Sequence, residues 1–298
     1  MSSKLSRRNI LKSSALGLGV GMLGFGGAAS ARASVAQQDA GASKLYEVLS
    51  RGNLIVGTGS TNPPWHFEDD QGNLIGFDIE MARIVAKGLF DDPNAVEFVR
   101  EASDARIPNL QTNQIDVVFQ FMTVTAARAQ VVEFTIPYYR EGVGTLLRAD
   151  SPYNGALDLA AAGSAVTVSV LQNVYAEDLI RQAMPEAQVL QLDSQANVIQ
   201  ALDSGRVDAA AIDESTVRWL VRQAPETYKA GNYGWSPQTY SAAVRPGDQI
   251  WLNFLNQTLH EAMTGVEFAA YAAAFNTFFG VELAPPPVGF PVEFGVRA

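Results

Sequence analysis

The chain has no cysteine and only two histidines, His66 and His260, among its 298 residues. The first absence excludes a disulfide frame, a thiolate metal site and a lipid tether through cysteine. The second leaves too few imidazoles, too far apart, for a metal site, so no metal or cofactor is expected and each histidine is read as a surface or helix-face residue. No serine stands in a G-x-S-x-G elbow, which removes the best-marked route to a hydrolase. No apolar run reaches the roughly 20 residues that a membrane span needs. The nearest, from Ala15 to Ala31, has 17 residues of which six are glycine. Basic residues are also scarce, with 21 Lys and Arg against 31 Asp and Glu for a net charge of −10. That balance argues against nucleic acid and anionic lipid as partners.

The basic residues are unevenly placed. The first 33 residues carry five of them (Lys4, Arg7, Arg8, Lys12, Arg32) and no acid, around that apolar run and the small residues Ala29, Ala31 and Ala33. This is the layout of a removable export signal, so residues 1–33 are read as a signal peptide and the mature protein as periplasmic. Ser6 to Lys12, SRRNILK, resembles the twin-arginine type, with Ile10 where Phe is more usual; the twin-arginine export machinery would then be a partner of the precursor. Removal leaves 16 basic against 31 acidic residues, a formal charge of −15. The remainder, about 260 residues, is long enough for one large or two medium cores.

Strand and helix patterns alternate from Leu54 onward, which predicts an α/β sheet covered on both faces. The stretch from Asp116 to Tyr139 is the most informative. It reads as an apolar strand, a threonine turn opening a helix with Arg128 in its first turn, and a second strand ending at Pro137. Backbone amides at a helix start with a guanidinium nearby make a seat for a small carboxylate. Upstream, Gly76-Phe77-Asp78 opens another helix, with Asp78 read as its N-cap.

An internal echo adds a second charge. LQTNQIDVV (110–118) and LDSGRVDAA (202–210) share a helix end, a residue tolerant of left-handed backbone (Asn113 or Gly205), a branched apolar residue, Asp and an apolar strand. Arg128 follows the first copy; Asp213 follows the second, after a strand too apolar to welcome a charge. The pattern is either a pair of similar lobes, one presenting a cation and the other an anion, or a chance match of common loop residues.

Together these residues resemble the extracytoplasmic substrate-binding proteins of polar amino-acid ABC transporters, the family 3 solute-binding proteins. The marks run from Tyr46 to Gly280: Pro63-Pro64-Trp65, Gly76-Phe77-Asp78, Ile115-Asp116 with Thr123, Thr125 and Arg128, Pro137-Tyr138-Tyr139, Gly205 to Asp208, Asp213, and Val244 to Asp248. The resemblance implies a two-lobe periplasmic binding protein clamp (type II), two α/β lobes joined by two hinge crossings. Lobe 1 would be 44–140 and 241–284, lobe 2 would be 141–240, and 285–298 an extended C-terminal tail. It also implies that Arg128 grips an α-carboxylate with Thr123 nearby and that Asp213 takes the α-ammonium. Trp65, Asn62, Phe121, Asn173 and Val174 complete the expected ligand site.

Each assignment has a plainer alternative. Arg128 could pair with Glu133, Asp213 could cap the helix beginning at Ser215, and Trp65 could be core. Arg106 is read as bracing its own helix. The sequence also departs from the family at Asn62, where relatives often carry an aromatic, at Asn173-Val174, where they often carry Gly-Thr, and at Phe121, which replaces a small or hydroxyl residue. The expected function is that of a monomeric, non-catalytic receptor for an amino acid or related small zwitterion, delivered to an inner-membrane permease. The alternative is a periplasmic cyclohexadienyl (prephenate or arogenate) dehydratase on the same fold, with Glu214 or Glu177 as general acid. A sensor feeding a kinase is disfavoured because no signalling domain follows.

Overall fold

The computed structural model describes residues 43–172 and 176–289, and the signal segment, Asn173, Val174 and the last residues of the tail lie outside that range. The described part of the tail, 285–289, holds neither helix nor strand.

The chain opens with α1 (Lys44–Arg51), β1 (Leu54–Thr58), β2 (Thr61–Asn62), β3 (His66–Glu68) and β4 (Leu74–Ile75). Next come α2 (Phe77–Phe90), β5 (Val96–Arg100), α3 (Arg106–Gln111), β6 (Val117–Val118) and β7 (Glu133–Phe134). A long strand, β8 (Tyr139–Arg148), leads to α4 (Ala156–Ala162), β9 (Thr167–Leu171), α5 (Ala176–Ala183), β10 (Gln188–Leu192) and α6 (Gln195–Asp203). The remainder is β11 (Ala209–Asp213), α7 (Glu214–Gln223), β12 (Tyr228–Ala230), β13 (Trp235–Tyr240), β14 (Ala243–Val244), α8 (Gln249–Thr264) and α9 (Phe268–Phe279).

These elements make a two-lobe α/β fold. One sheet has the order β5-β1-β6-β14-β7, and another runs β10-β9-β11-β8-β12 with β13 also on β8. Parallel strands β5, β1 and β6 in the first sheet and β10, β9 and β11 in the second are the product of strand-helix-strand repeats, while β14 and β8 run antiparallel to them. The chain leaves the first sheet along β8 and returns along β13, and these two strands pair with each other, Tyr139 opposite Tyr240 and Arg140 opposite Thr239.

Each lobe has its own core. Leu54, Val56, Phe77, Val85, Phe119, Trp251 and Leu255 fill the first, where α8 and α9 return to cover α2. Val143, Val168, Val170, Ile180 and Trp235 fill one face of the second sheet, and Leu146, Val198, Ala210 and Val217 the other. The helix α2 is apolar on most sides because it lies beneath α8 and α9. Its cap, Gly76, has φ of 132°, and a Cβ there would meet the Trp65 carbonyl, so glycine is needed twice over.

The repeated motif adopts one geometry in both lobes. Asn113 and Gly205 both take left-handed backbone, with φ of 56° and 70°. Asp116 donates its N–H to the Ile55 carbonyl and accepts the Ile55 N–H at 2.8 Å; Asp208 does the same with Thr167, also at 2.8 Å. The echo is therefore a structural repeat.

Several local expectations change. Arg128 sits in a three-residue 3-10 turn, Arg128–Gln130, and not in an α-helix, because the chain must descend at once into β7. The apolar strand before it is only two residues long. Among the described residues no helix is long and apolar enough to cross a membrane.

Candidate ligand site

The loop that carries Phe121, Thr123 and Arg128 is fixed from below by a buried carboxylate. Asp78, in the first turn of α2, is not the cap of that helix. Its Oδ2 accepts the Phe121 N–H at 2.9 Å and lies 2.9 Å from His66 Nδ1, while its Oδ1 accepts the Tyr138 hydroxyl at 2.6 Å. His66 is correspondingly no surface residue. It is fully buried, and its ring stacks on Phe121 with centroids 4.6 Å apart and 7° between planes. Phe121 is held in left-handed backbone, φ 32°, by this clamp.

Beyond Phe121, the Thr123 carbonyl accepts Arg128 Nη1 at 2.8 Å, and Thr125 Oγ1 accepts the Arg128 N–H at 3.2 Å. Arg128 belongs to no ion pair among the described residues, so pairing with Glu133 does not occur. Burial lowers its pKa, with the Tyr240 hydroxyl acting in the opposite sense. A half-buried guanidinium without a carboxylate has spare donors and an unmet charge.

Asp213 ends β11 in the second lobe. It occupies the cap position of α7 but makes no capping hydrogen bond; its Oδ2 accepts the Tyr240 hydroxyl at 2.8 Å instead. Desolvation pushes its carboxyl up to about 6, and the Tyr240 hydrogen bond limits the rise. Tyr240, on the returning strand, thus stands between the two charges, bonded to the anion and close enough to the cation to affect it. Its backbone also bridges Thr123.

Trp65 belongs to the core. It is 1 % exposed, packs edge-on against Tyr139 at 4.8 Å and Tyr240 at 5.1 Å, and reaches across to the second lobe through Nε1, which donates to Ser215 Oγ at 3.0 Å. Ser215 in turn donates to Glu141 Oε2 at 2.5 Å. Glu141 lies on β8 and is buried; burial and the neighbouring charge of Asp213 push it up to about 8. Asn62 is half-buried beside His66, with Nδ2 3.4 Å from Nε2.

The structure therefore gathers Arg128, Thr123, Phe121, Trp65, Asn62 and Asp213 around Tyr240 and His66, while Asn173 and Val174 lie outside the described residues. Sequence reasoning missed Tyr240, Glu141, Ser215 and the His66–Asp78 pair. Glu141 carried one usable signal, an acid directly before a run of small and mostly apolar residues (GVGTLL). The two acids nominated as catalytic are engaged elsewhere: Glu214 pairs with Arg218 at 3.4 Å and Glu177 with Arg181 at 2.9 Å. Among the described residues no group of His, Cys, Asp or Glu is arranged to hold a metal ion.

Two α/β lobes with opposite charges facing a common tyrosine define a clamp of the periplasmic-binding-protein type. The chain belongs to the bacterial extracellular solute-binding proteins, family 3, matching that family over residues 54–279. It is 31% identical over 211 residues to the glutamine-binding protein of Geobacillus stearothermophilus, covering 66% of this chain and 77% of that one. It is 29% identical over 219 residues to the L-cystine-binding protein TcyJ of Escherichia coli K12, covering 73% and 80%. Among solved structures, the ancestral amino-acid-binding protein AncCDT-1, described as a precursor of cyclohexadienyl dehydratase, superposes with a TM-score of 0.67 at 30% identity, covering 80% of this chain and all of that one.

Proposed function

We propose that the protein is an extracytoplasmic solute receptor that binds an amino acid or related small zwitterion and delivers it to an ABC transporter permease in the inner membrane. The observation that carries this reading is the unpaired Arg128 on the first lobe set against Asp213 on the second, with Tyr240 between them. Arg128 and Thr123 receive the α-carboxylate; Asp213 receives the α-ammonium; Phe121, Trp65 and Asn62 shape the surroundings, joined by Asn173 and Val174. Lobe 1, residues 44–140 and 241–284, closes on lobe 2, residues 141–240, because a ligand held at both ends binds the closed state better than the open one. The protein acts as a monomer in the periplasm after twin-arginine export and removal of residues 1–33. The glutamine- and cystine-binding relatives support the ligand class.

Arg128→Ala tests the anchor. It should abolish ligand-induced thermal stabilisation, a loss of about 2–5 kcal/mol of binding, while circular dichroism shows the fold intact. Equal stabilisation of variant and parent by the same amino acid would remove Arg128 from the site.

One observation favours a second reading, the dehydratase: Glu141 is a buried acid whose carboxyl is pushed up to about 8 by burial and the charge of Asp213. Its orientation toward Ser215, which leaves that oxygen occupied, counts against it as a proton donor to substrate. Formation of phenylpyruvate from prephenate by the purified protein would replace the receptor reading with this one.

A further inference from the structure

Helix α7 is built with two opposite faces. Val217 is fully buried against Leu146, Val198 and Leu202 of the second lobe, with Leu220 and Val221 packed beside it. Ser215, Trp219 and Arg222 follow one another at i, i+4 and i+7, which places them together on the other side of the helix. Each of the three touches the first lobe. Ser215 Oγ accepts Trp65 Nε1 at 3.0 Å. The Trp219 ring packs against Phe67 of β3, with centroids 5.5 Å apart, and against Phe278 of α9 at 6.3 Å, so a side chain of the second lobe joins the core of the first. Arg222 donates Nη1 to the carbonyls of Asn276 at 3.2 Å and Thr277 at 3.4 Å, in the last turn of α9.

The end of α9 is shaped to receive that guanidinium. Carbonyls of a last helical turn carry the negative end of the helix dipole, which suits a cation that has no other anion. Arg222 enters no ion pair among the described residues, whereas Arg218 on the same helix pairs with Glu214 at 3.4 Å. The cap of α9 is Gly280 with φ of 69°, and a Cβ there would lie 2.9 Å from Arg222 Nη1. Glycine therefore turns the chain and also lets the arginine approach.

These contacts lie off β8 and β13, the two strands that carry the chain between the lobes. A rotation about that paired ribbon changes the distance between α7 and the first lobe and leaves the covalent path intact. Helix α7 starts directly after Asp213, so the stripe and the acid bonded to Tyr240 move as one body. We propose that the Ser215–Trp219–Arg222 face of α7 is an interlobe clasp, made when the lobes are closed, which sets ligand affinity from outside the ligand site. Trp219 and Arg222 are its positioning residues. Apparent affinity scales with the fraction of protein already in the competent state, so weakening the clasp lowers affinity without removing a ligand contact. Each contact is individually modest, as a joint that must open requires. The effect on affinity rests on the receptor reading above; the effect on shape does not.

Small-angle X-ray scattering of the purified protein without added ligand reads the shape. Trp219→Ala and Arg222→Glu should each enlarge the radius of gyration, and Trp219→Phe should stay near the parent value. Val217→Ala, which removes packing inside the second lobe only, should lower the melting temperature and leave the radius unchanged. Isothermal titration with the standard L-amino acids should then show the tightest binder of the parent losing about ten-fold or more in Trp219→Ala and a smaller factor in Arg222→Glu. Radii of both clasp variants equal to that of the parent overturn the clasp. Enlarged radii with unchanged affinity overturn the positioning role. Binding of no amino acid by the parent counts against the receptor reading, while the radii still decide the clasp. Should circular dichroism show Trp219→Ala unfolded, Arg222→Glu, at an exposed position, decides in its place.

Discussion

In the first lobe, Asp116 locks the start of β1 through the Ile55 N–H and is itself held by Arg51 and by Lys44 at 3.6 Å. In the second, Asp208 locks the start of β9 through the Thr167 N–H by the same bond but enters no ion pair among the described residues. Downstream the two copies diverge further. The first delivers Arg128 beside the buried Arg106; the second delivers Asp213 beside the buried Glu141. The helix-to-strand unit thus supplies backbone and the residues after it supply charge, so one architectural device carries a cationic wall on the first lobe and an acidic wall on the second.

The strongest way to break this comparison is to neutralise the acidic wall. Asp213→Asn keeps the shape and the Tyr240 contact but removes the charge that would meet an ammonium. Affinity for the cognate amino acid should fall by about 2–5 kcal/mol, similar to the loss from Arg128→Ala, and titration calorimetry reads it directly. A loss confined to Arg128→Ala would mean that the acidic wall serves the fold and not the ligand.

Stability against pH sharpens the same contrast. Asp213 is pushed up to about 6 and Glu141 to about 8, in both cases chiefly by burial, with the charge of Asp213 adding to the second. A carboxyl whose folded pKa exceeds its unfolded value costs nothing below the unfolded value, near pH 4, and costs progressively more as pH rises to the folded one. The unliganded protein should therefore lose a few kcal/mol between about pH 4 and pH 8, read from urea midpoints across that range. Glu141→Gln should flatten the upper part, above about pH 6, because the amide keeps a hydrogen bond to Ser215 without a charge to bury. A parent profile already flat there would mean that Glu141 is ionised and stabilised in the fold.

The α/β class, the paired lobes and the opposite charges after their strands were legible because each rests on short-range signals: alternating strand and helix patterns, a left-handed residue before Asp, a charge after an apolar strand. Asp78 was misread because an acid after glycine at a helix start looks like a cap, and only the tertiary fold brings Tyr138, Phe121 and His66 onto its two oxygens. His66 was misread for the same reason: a histidine in a polar loop carries no local sign that a carboxylate will be buried against it. Arg106 and Gln120, 14 residues apart, show no periodic relation, so their hydrogen bond depends on how α3 packs beside β6. Contacts between loops are what the sequence patterns leave unspecified.

The mildest test returns to the repeat itself. Asn113 and Gly205 hold the same left-handed turn, but Asn already accepts part of the strain that glycine avoids. Substituting alanine should cost about 1 kcal/mol at Gly205 and a smaller amount at Asn113, where the parent residue already carries a Cβ. Asn113→Gly should be neutral or slightly stabilising, since what the turn gains in backbone freedom the unfolded chain gains as well. Thermal melts of the three variants would rank them. Equal losses at both positions would show that the turns are set by the Asp116 and Asp208 locks alone, and that the residue before them contributes no conformational preference.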